Sequence, residues 1–225
     1  NGTAEIFIGV DASRNPATGE SLDGGYFRAL RWQPGYGHPD GHRNLFQFWE
    51  RSSGETFQSG AAIGDVNSDG RLEVVTGSGA YWCRHFDRCG DSAKVWAFHL
   101  DDGSDVPGWP RTASMETTFL SAPALGDIDG DGRTDVVVGT NRYDRAAPGN
   151  PPSGGAVDVF YGDRAKPRRS WVTPDVEIVA PPVIADVTGE GTPEVLASTA
   201  SQVFALGSQL GVVQAGIATS PHANR

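Results

Sequence analysis

Apolar residues occur along this chain in short runs or in alternation, and glycine or proline interrupts them about every ten residues. Some segments are rich in small residues, such as SGAAIG from Ser59 and SAPALG from Ser121. Others are rich in β-branched residues, such as LEVVTG from Leu72 and TDVVVG from Thr134. Neither kind has the 3.6-residue period of an amphipathic helix. The pattern therefore predicts an all-β chain.

The same order of segments repeats about every sixty residues. Each repeat contains a small-residue strand, an acidic loop, a β-branched strand, a third strand, a turn and a fourth strand. The third strands are KVWAFHL from Lys94, AVDVFY from Ala156 and QVFAL from Gln202. Four antiparallel strands per repeat are typical of a propeller blade. We therefore predict a single β-propeller domain, or part of one, with repeats of approximately 1–56, 57–118, 119–177 and 178–225.

The acidic loop of the third repeat, DIDGDGRTD, has the spacing of a calcium site. Asp127, Asp129 and Asp131 alternate toward one centre, Arg133 offers its carbonyl, and Asp135 closes the set of ligands. Clustered carboxylates repel each other and need a cation, since two unit charges about 4 Å apart repel by about 4 kcal/mol at an effective dielectric near 20. An EF-hand is excluded because the twelfth positions are Thr76, Val138 and Ala197 instead of glutamate.

Two copies of this loop are degraded. The loop DVTGEGTPE offers Asp186, Thr188, Glu190, Thr192 and Glu194, and we expect weaker or absent binding there because Thr188 replaces an acid or amide and Pro193 stiffens the exit. The first residues, NGTAEIFIG, match the second half of a loop, so that Asn1, Thr3 and Glu5 form a partial site. The chain thus begins inside a blade whose first strand is missing. We interpret it as a fragment of a larger propeller; the alternatives are a strand supplied by the tail TSPHANR or by a second chain.

These loops and their flanking strands resemble the FG-GAP or VCBS repeat family, whose propellers include the head of integrin alpha subunits. The resemblance covers nearly the whole chain. It implies that the loop joins the first and second strands of a blade and binds calcium structurally. It also implies a second ligand set in DVNSDGRLE: Asp65, Asn67, Asp69, the carbonyl of Arg71, and Glu73. We expect two calcium sites, with a third at Asp186 left open.

Charge and cysteine content indicate which partners and which cellular compartment to expect. The net charge of −10 argues against nucleic acid, which is bound by basic patches. No apolar run is long enough to insert into a membrane. Cys83 and Cys89 are the only cysteines, and a local disulfide, which persists mainly outside the cytosol, is favoured over a zinc site with His85. We therefore expect a secreted, extracellular or cell-surface protein.

The connections between second and third strands are predicted to leave the blades on the face opposite the metal loops. Two of them carry arginine and aromatic residues that can stack on sugars or pair with acidic groups. The candidate ligand-binding residues are Tyr81, Trp82, His85, Phe86, Arg142 and Tyr143. The alternative is that these loops pack on each other and cover the hub of the propeller.

No catalytic motif stands out, since the chain has neither a GxSxG elbow nor an HExxH segment. The leading hypothesis is a non-catalytic binding or adhesion module for glycan or extracellular protein. A second hypothesis is the propeller of a secreted hydrolase or polysaccharide lyase. A third is a structural subunit of an extracellular assembly that associates with itself or gains blades from another chain.

Overall fold

The computed structural model describes residues 5–11, 24–37, 43–86, 89–116, 121–143, 152–173 and 177–216. Its strands form four antiparallel sheets. Sheet 1 contains β1 (Glu5–Asp11), β2 (Gly25–Gly37) and β3 (Arg43–Ser53). Sheet 2 contains β4 (Ala61–Gly64), β5 (Glu73–Gly77), β6 (Lys94–His99) and β7 (Arg111–Thr112). Sheet 3 contains β8 (Ala124–Gly126), β9 (Asp135–Tyr143), β10 (Pro152–Phe160) and β11 (Arg169–Val172). Sheet 4 contains β12 (Val183–Ala185), β13 (Glu194–Ser198), β14 (Val203–Leu206) and β15 (Val212–Gly216).

Within each sheet, strands that follow one another in sequence are hydrogen-bonded neighbours. Sheets 2, 3 and 4 are four-stranded, and sheet 1 has three strands among the described residues. This is the architecture of a β-propeller with about four blades, as the repeat pattern predicts. The last two strands of sheet 1, β2 and β3, are also the longest strands of the described residues.

A hydrophobic cluster joins each sheet to the next. The cluster between sheets 1 and 2 is aromatic. The ring centroid of Phe27 lies 5.7 Å from that of Phe57 and 6.1 Å from that of Phe98. Valines dominate between sheets 2 and 3 and between sheets 3 and 4. Along β9, Val136 and Val138 face sheet 2 while Val137 faces sheet 4. A middle blade is buried on both faces, which explains the unbroken valine run.

Two glycines bring the first strands of neighbouring blades close together. A Cβ atom at Gly64 would lie 2.9 Å from Leu125 Cδ1, and one at Gly126 would lie 3.2 Å from Ile184 Cγ2. The small residues of the predicted first strands therefore allow the crowded inner strands of a propeller to pack side by side.

The chain is nearly all-β, as predicted, and one short segment is helical. Residues Tyr81–Phe86, predicted as part of a loop, form a single-turn helix, α1, between β5 and β6. Arg142 and Tyr143, predicted to lie in a connection between strands, lie instead at the end of β9, and β10 begins at Pro152.

Candidate metal-binding loops and recognition surface

The three acidic loops share one hydrogen-bonded frame. In each of them the carboxylate at position one accepts backbone amides from the middle of the loop. Asp127 accepts from Gly130, Asp131 and Gly132 at 2.8, 3.1 and 2.7 Å; Asp65 accepts from Asp69 and Gly70 at 3.2 and 3.0 Å; Asp186 accepts from Gly189 and Gly191 at 2.7 and 2.9 Å. The first aspartate therefore organises the turn, in addition to any contact with an ion.

Two positions of each loop have a left-handed backbone. At position six, Gly70, Gly132 and Gly191 have φ values of 84°, 82° and 83°. At position four, Gly130 and Gly189 have φ values of 77° and 76°, and Ser68 adopts 60°. The repeated glycines thus serve a backbone conformation that residues with a Cβ atom rarely adopt.

The acid at position nine is buried at the start of each second strand. Asp135 and Glu73 are fully buried, and each accepts the amide of the loop's second residue, from Ile128 at 3.0 Å and Val66 at 2.9 Å. Burial raises the pKa of Glu73 and of Asp135 above the ordinary values for these groups. A buried carboxylate whose charged form is disfavoured is one that a nearby cation would stabilise.

The ligand atoms of the loop at Asp127 converge. One carboxylate oxygen from each of Asp127, Asp129 and Asp135 lies within 4.8 Å of the others. Oδ1 of Asp129 is buried and has no hydrogen-bond partner among the described residues. A buried oxygen without a donor costs free energy, and a cation at this point would relieve that cost. The residues of this loop therefore fit a calcium ion, which prefers oxygen ligands.

The loop at Asp65 brings together a different set of atoms. Asp69, Glu73 and His99 form the group of nearby ligand atoms, and His99 Nδ1 lies 2.9 Å from Glu73 Oε1. Asp69 accepts the amide of Arg71 at 2.8 Å, the main reason that its pKa lies below the ordinary range. Asn67 holds Asp69 from the other side, with its amide nitrogen 2.9 Å from Oδ2.

The two degraded loops satisfy their acids internally. Glu194 accepts the Thr188 hydroxyl at 3.0 Å and the Val187 amide at 2.9 Å, so two of the weaker candidate ligands, Thr188 and Glu194, are bonded to each other. In the partial loop, Glu5 pairs with Arg31 at 2.5 Å across β1 and β2. Asn1 and Thr3 lie outside the described residues.

Lys166 and His99 contact the acidic loops but were not predicted to do so. Lys166 Nζ lies 2.7 Å from Asp129 Oδ2 and 2.6 Å from Asp131 Oδ2. Its hydrogen bonds, first that to Asp129, raise the pKa of Lys166, and in return lower the pKa of Asp131. The connection between β10 and β11 lies at the same end of the sheet as the acidic loop at Asp127. Lys166 is the only lysine in that connection, and this was the one signal in the sequence that could have predicted the contact.

Helix α1 is anchored at its start by a buried carboxylate. Glu55, which is fully buried, accepts the backbone amides of Trp82 at 3.1 Å and Cys83 at 2.6 Å. Trp82 also donates its indole N–H to the carbonyl of Gly24 at 3.1 Å, which ties the helix to sheet 1. The disulfide between Cys83 and Cys89, as predicted, joins the helix to the segment that follows it.

The candidate recognition residues divide by burial. Tyr81 is 41% exposed, His85 is exposed, and their ring centroids lie 4.7 Å apart. Arg142 is also exposed. Trp82 and Tyr143 are buried, at 3% and 8% exposure, so neither is an exposed ligand-binding candidate: the indole of Trp82 is bonded to Gly24, and Tyr143 lies at the end of β9. Phe86 lies in α1, but its side chain is outside the described part of the structure.

The sequence of this chain is similar to the FG-GAP repeat family and to integrin alpha subunits. The FG-GAP repeat family model matches residues 119–160, which include the loop at Asp127. Human integrin alpha-IIb is 35% identical over 130 residues, 53% of this chain and 12% of the integrin. Mouse integrin alpha-IIb is 31% identical over 171 residues, 70% of this chain and 16% of the integrin. The chain therefore spans a small part of these relatives.

A solved structure, that of BBS1N in complex with ARL6DN soaked with lead, matches 97% of this chain and 57% of its own with a TM-score of 0.45 and 13% identity. Within the part of the chain that the structure describes, no helix is long and apolar enough to cross a membrane.

Proposed function

This chain belongs to the FG-GAP repeat family and is similar to integrin alpha subunits; on that premise we propose that it is a calcium-stabilised, extracellular binding or adhesion module. The observation that carries this proposal is that the acidic loop of sheet 2 and the connection that holds α1 lie at opposite ends of that sheet. The connection between β4 and β5 is the acidic loop at Asp65, whereas the connection between β5 and β6 holds α1. Successive connections of an antiparallel sheet lie at opposite ends, so the metal loops and the exposed aromatic residues are separated.

Calcium would act on the scaffold at one end. Its proposed ligands in the third repeat are Asp127, Asp129, Asp131, the carbonyl of Arg133, and Asp135, and the convergence of three carboxylates around a buried, unpartnered oxygen of Asp129 supports this site. In the second repeat they are Asp65, Asn67, Asp69, the carbonyl of Arg71, and Glu73, supported by the same frame. Bound calcium would neutralise carboxylates that the fold holds together and would fasten the first strand of each blade to the second.

The internal pairing of Glu194 with Thr188 favours weak or absent calcium binding at Asp186. Thr188 already satisfies one carboxylate oxygen that an ion would need. We therefore propose two calcium sites in the described part of the chain.

Recognition would take place at the opposite end, on α1. Tyr81 and His85 form an exposed pair of rings on a helix that a buried carboxylate and a disulfide hold in place. Preorganised aromatic side chains bind at low entropic cost, and their faces suit sugars as well as protein side chains. The disulfide also supports an extracellular location, because such bonds are rare in the cytosol.

Binding to a glycan array and to immobilised extracellular matrix proteins tests this assignment. We expect Tyr81→Ala and His85→Ala to weaken whatever binding the wild-type protein shows, by about 1 kcal/mol or more for a residue that carries binding energy. Trp32→Ala is the matched control, because Trp32 is 50% exposed but lies on β2 in another blade. Equal binding by all three variants would exclude α1 as the recognition surface, and polysaccharide turnover by the wild type would favour the lyase or hydrolase hypothesis.

A further inference from the structure

The ammonium group of Lys166 occupies the position of a cation in the loop at Asp127. It contacts two of the predicted calcium ligands, Asp129 and Asp131, at 2.7 and 2.6 Å. The backbone of Lys166 is itself fixed, since its amide donates to the carbonyl of Asp163 at 3.0 Å in the turn between β10 and β11. The lysine is therefore directed at the loop by the hairpin that carries it.

The equivalent hairpin of the second repeat has the opposite charge. The connection between β6 and β7 carries Asp101 and Asp102, which pair with Arg71 at 2.6 and 3.5 Å. In that repeat the carboxylate Oδ2 of Asp69 accepts a neutral amide from Asn67. Two loops with nearly the same ligand set thus have different surroundings, one cationic and one acidic.

We propose that Lys166 is a tethered cation that competes with calcium for the loop at Asp127. The inference rests on the calcium role proposed above. Without the ion, the ammonium neutralises Asp129 and Asp131 and keeps the loop folded. Calcium must displace it, so this loop binds the ion less tightly than its own oxygens would allow, and less tightly than the loop at Asp65.

The structure offers a place for the displaced side chain. An open cavity of about 250 Å³ adjoins the loop, lined by Asp129, Tyr161, Lys166, Pro167, Arg169 and Gln209. The ammonium already lies 5.6 Å from the centroid of the Tyr161 ring. A flexible four-carbon stem can swing along this ring into water while the backbone of the hairpin stays in place.

Hydrogen exchange of the wild-type protein and Lys166→Met across a calcium titration tests this proposal. Peptides covering 65–73 and 127–135 report the two loops separately in one molecule. We expect Lys166→Met to lower the calcium concentration at half-protection of the loop at Asp127 by about fivefold, the low end of the range usual for coupled sites because the lysine is partly exposed, and to leave the loop at Asp65 unchanged. Without calcium, the same variant should lose protection at 127–135.

Lys94→Met is the matched control, because it removes the other lysine of the chain, whose Nζ contacts Thr112 on β7. Lys166→Gln keeps hydrogen-bonding capacity but has no charge, so it should behave as Lys166→Met does. It replaces Lys166→Met in the experiment if that variant fails to fold without calcium. An unchanged half-protection point at 127–135 in both Lys166 variants would overturn the competition. Calcium that protects neither loop of the wild type would instead overturn the proposed calcium role, and this inference with it.

Discussion

At the scale of residues, the acidic loops are defined by backbone conformation as much as by charge. Gly132 has a φ of 82°, and a Cβ atom placed there would meet nothing within 4 Å. Replacement by alanine therefore adds backbone strain without a clash. We expect Gly132→Ala to lower the free energy of unfolding by about 1–2 kcal/mol in calcium-free buffer, measured by urea denaturation.

Gly90→Ala is the control for that change. Gly90 also has open space around it, but its φ is not positive. Its replacement should change the free energy of unfolding by less than about 0.5 kcal/mol. Equal losses in the two variants would show that the left-handed conformation at Gly132 is not what the loop requires.

The convergence of the carboxylates in the loop at Asp127 was predictable because their spacing in the sequence is local, whereas the side chains that contact the loops from other segments were not predictable. The motif alone places Asp127, Asp129 and Asp135 in one loop. Lys166 and His99 reach the loops only through strand pairing, since His99 lies directly opposite Glu73 on the neighbouring strand. Such contacts depend on register across the sheet, which no single segment of the sequence encodes.

At the scale of elements, the strands followed the sequence pattern and the helix did not. A helix of six residues is too short to show a hydrophobic period, and α1 depends on Glu55, which lies between sheets 1 and 2 in the sequence. The burial of Trp82 likewise depends on its bond to Gly24 in a different blade. Both follow from packing between blades, which the repeat pattern leaves open.

Glu55 should make stability depend on pH. Burial is the main cause that raises the pKa of Glu55 above its ordinary value of 4.5, so the folded state holds its proton more tightly than the unfolded state. The stability contributed by this group is then largest at low pH, and it falls as the pH rises from 4.5 through the folded-state pKa. We expect the free energy of unfolding of the wild type, relative to Glu55→Gln, to decline over this window.

Urea denaturation of both proteins between about pH 4.5 and 7.5 measures this difference. Glutamine keeps the length of the side chain and does not titrate, so the other acidic groups contribute alike to both profiles. Parallel profiles for the two proteins would mean that Glu55 has the same proton affinity in the folded and unfolded states.

At the scale of the whole molecule, consecutive blades share hydrophobic clusters, and the acidic loops all lie at one end of the sheets. The clusters fix how neighbouring sheets pack, and the loops fix how the first strand of a blade meets the second. Calcium bound to the loops at Asp65 and Asp127 would add to the stability of two neighbouring blades at once. It would do so without contact with the recognition surface that we propose on α1.

The melting temperature of the chelator-treated protein, followed as calcium is added, tests this central claim most directly. An ion that binds the folded state alone contributes about 2.7 kcal/mol per site at a free concentration 100 times its dissociation constant. We predict that the melting temperature rises with calcium and reaches a plateau, and that magnesium at the same concentration has a smaller effect. Identical melting temperatures in chelator and in saturating calcium would contradict the claim that these loops hold the propeller together through the ion.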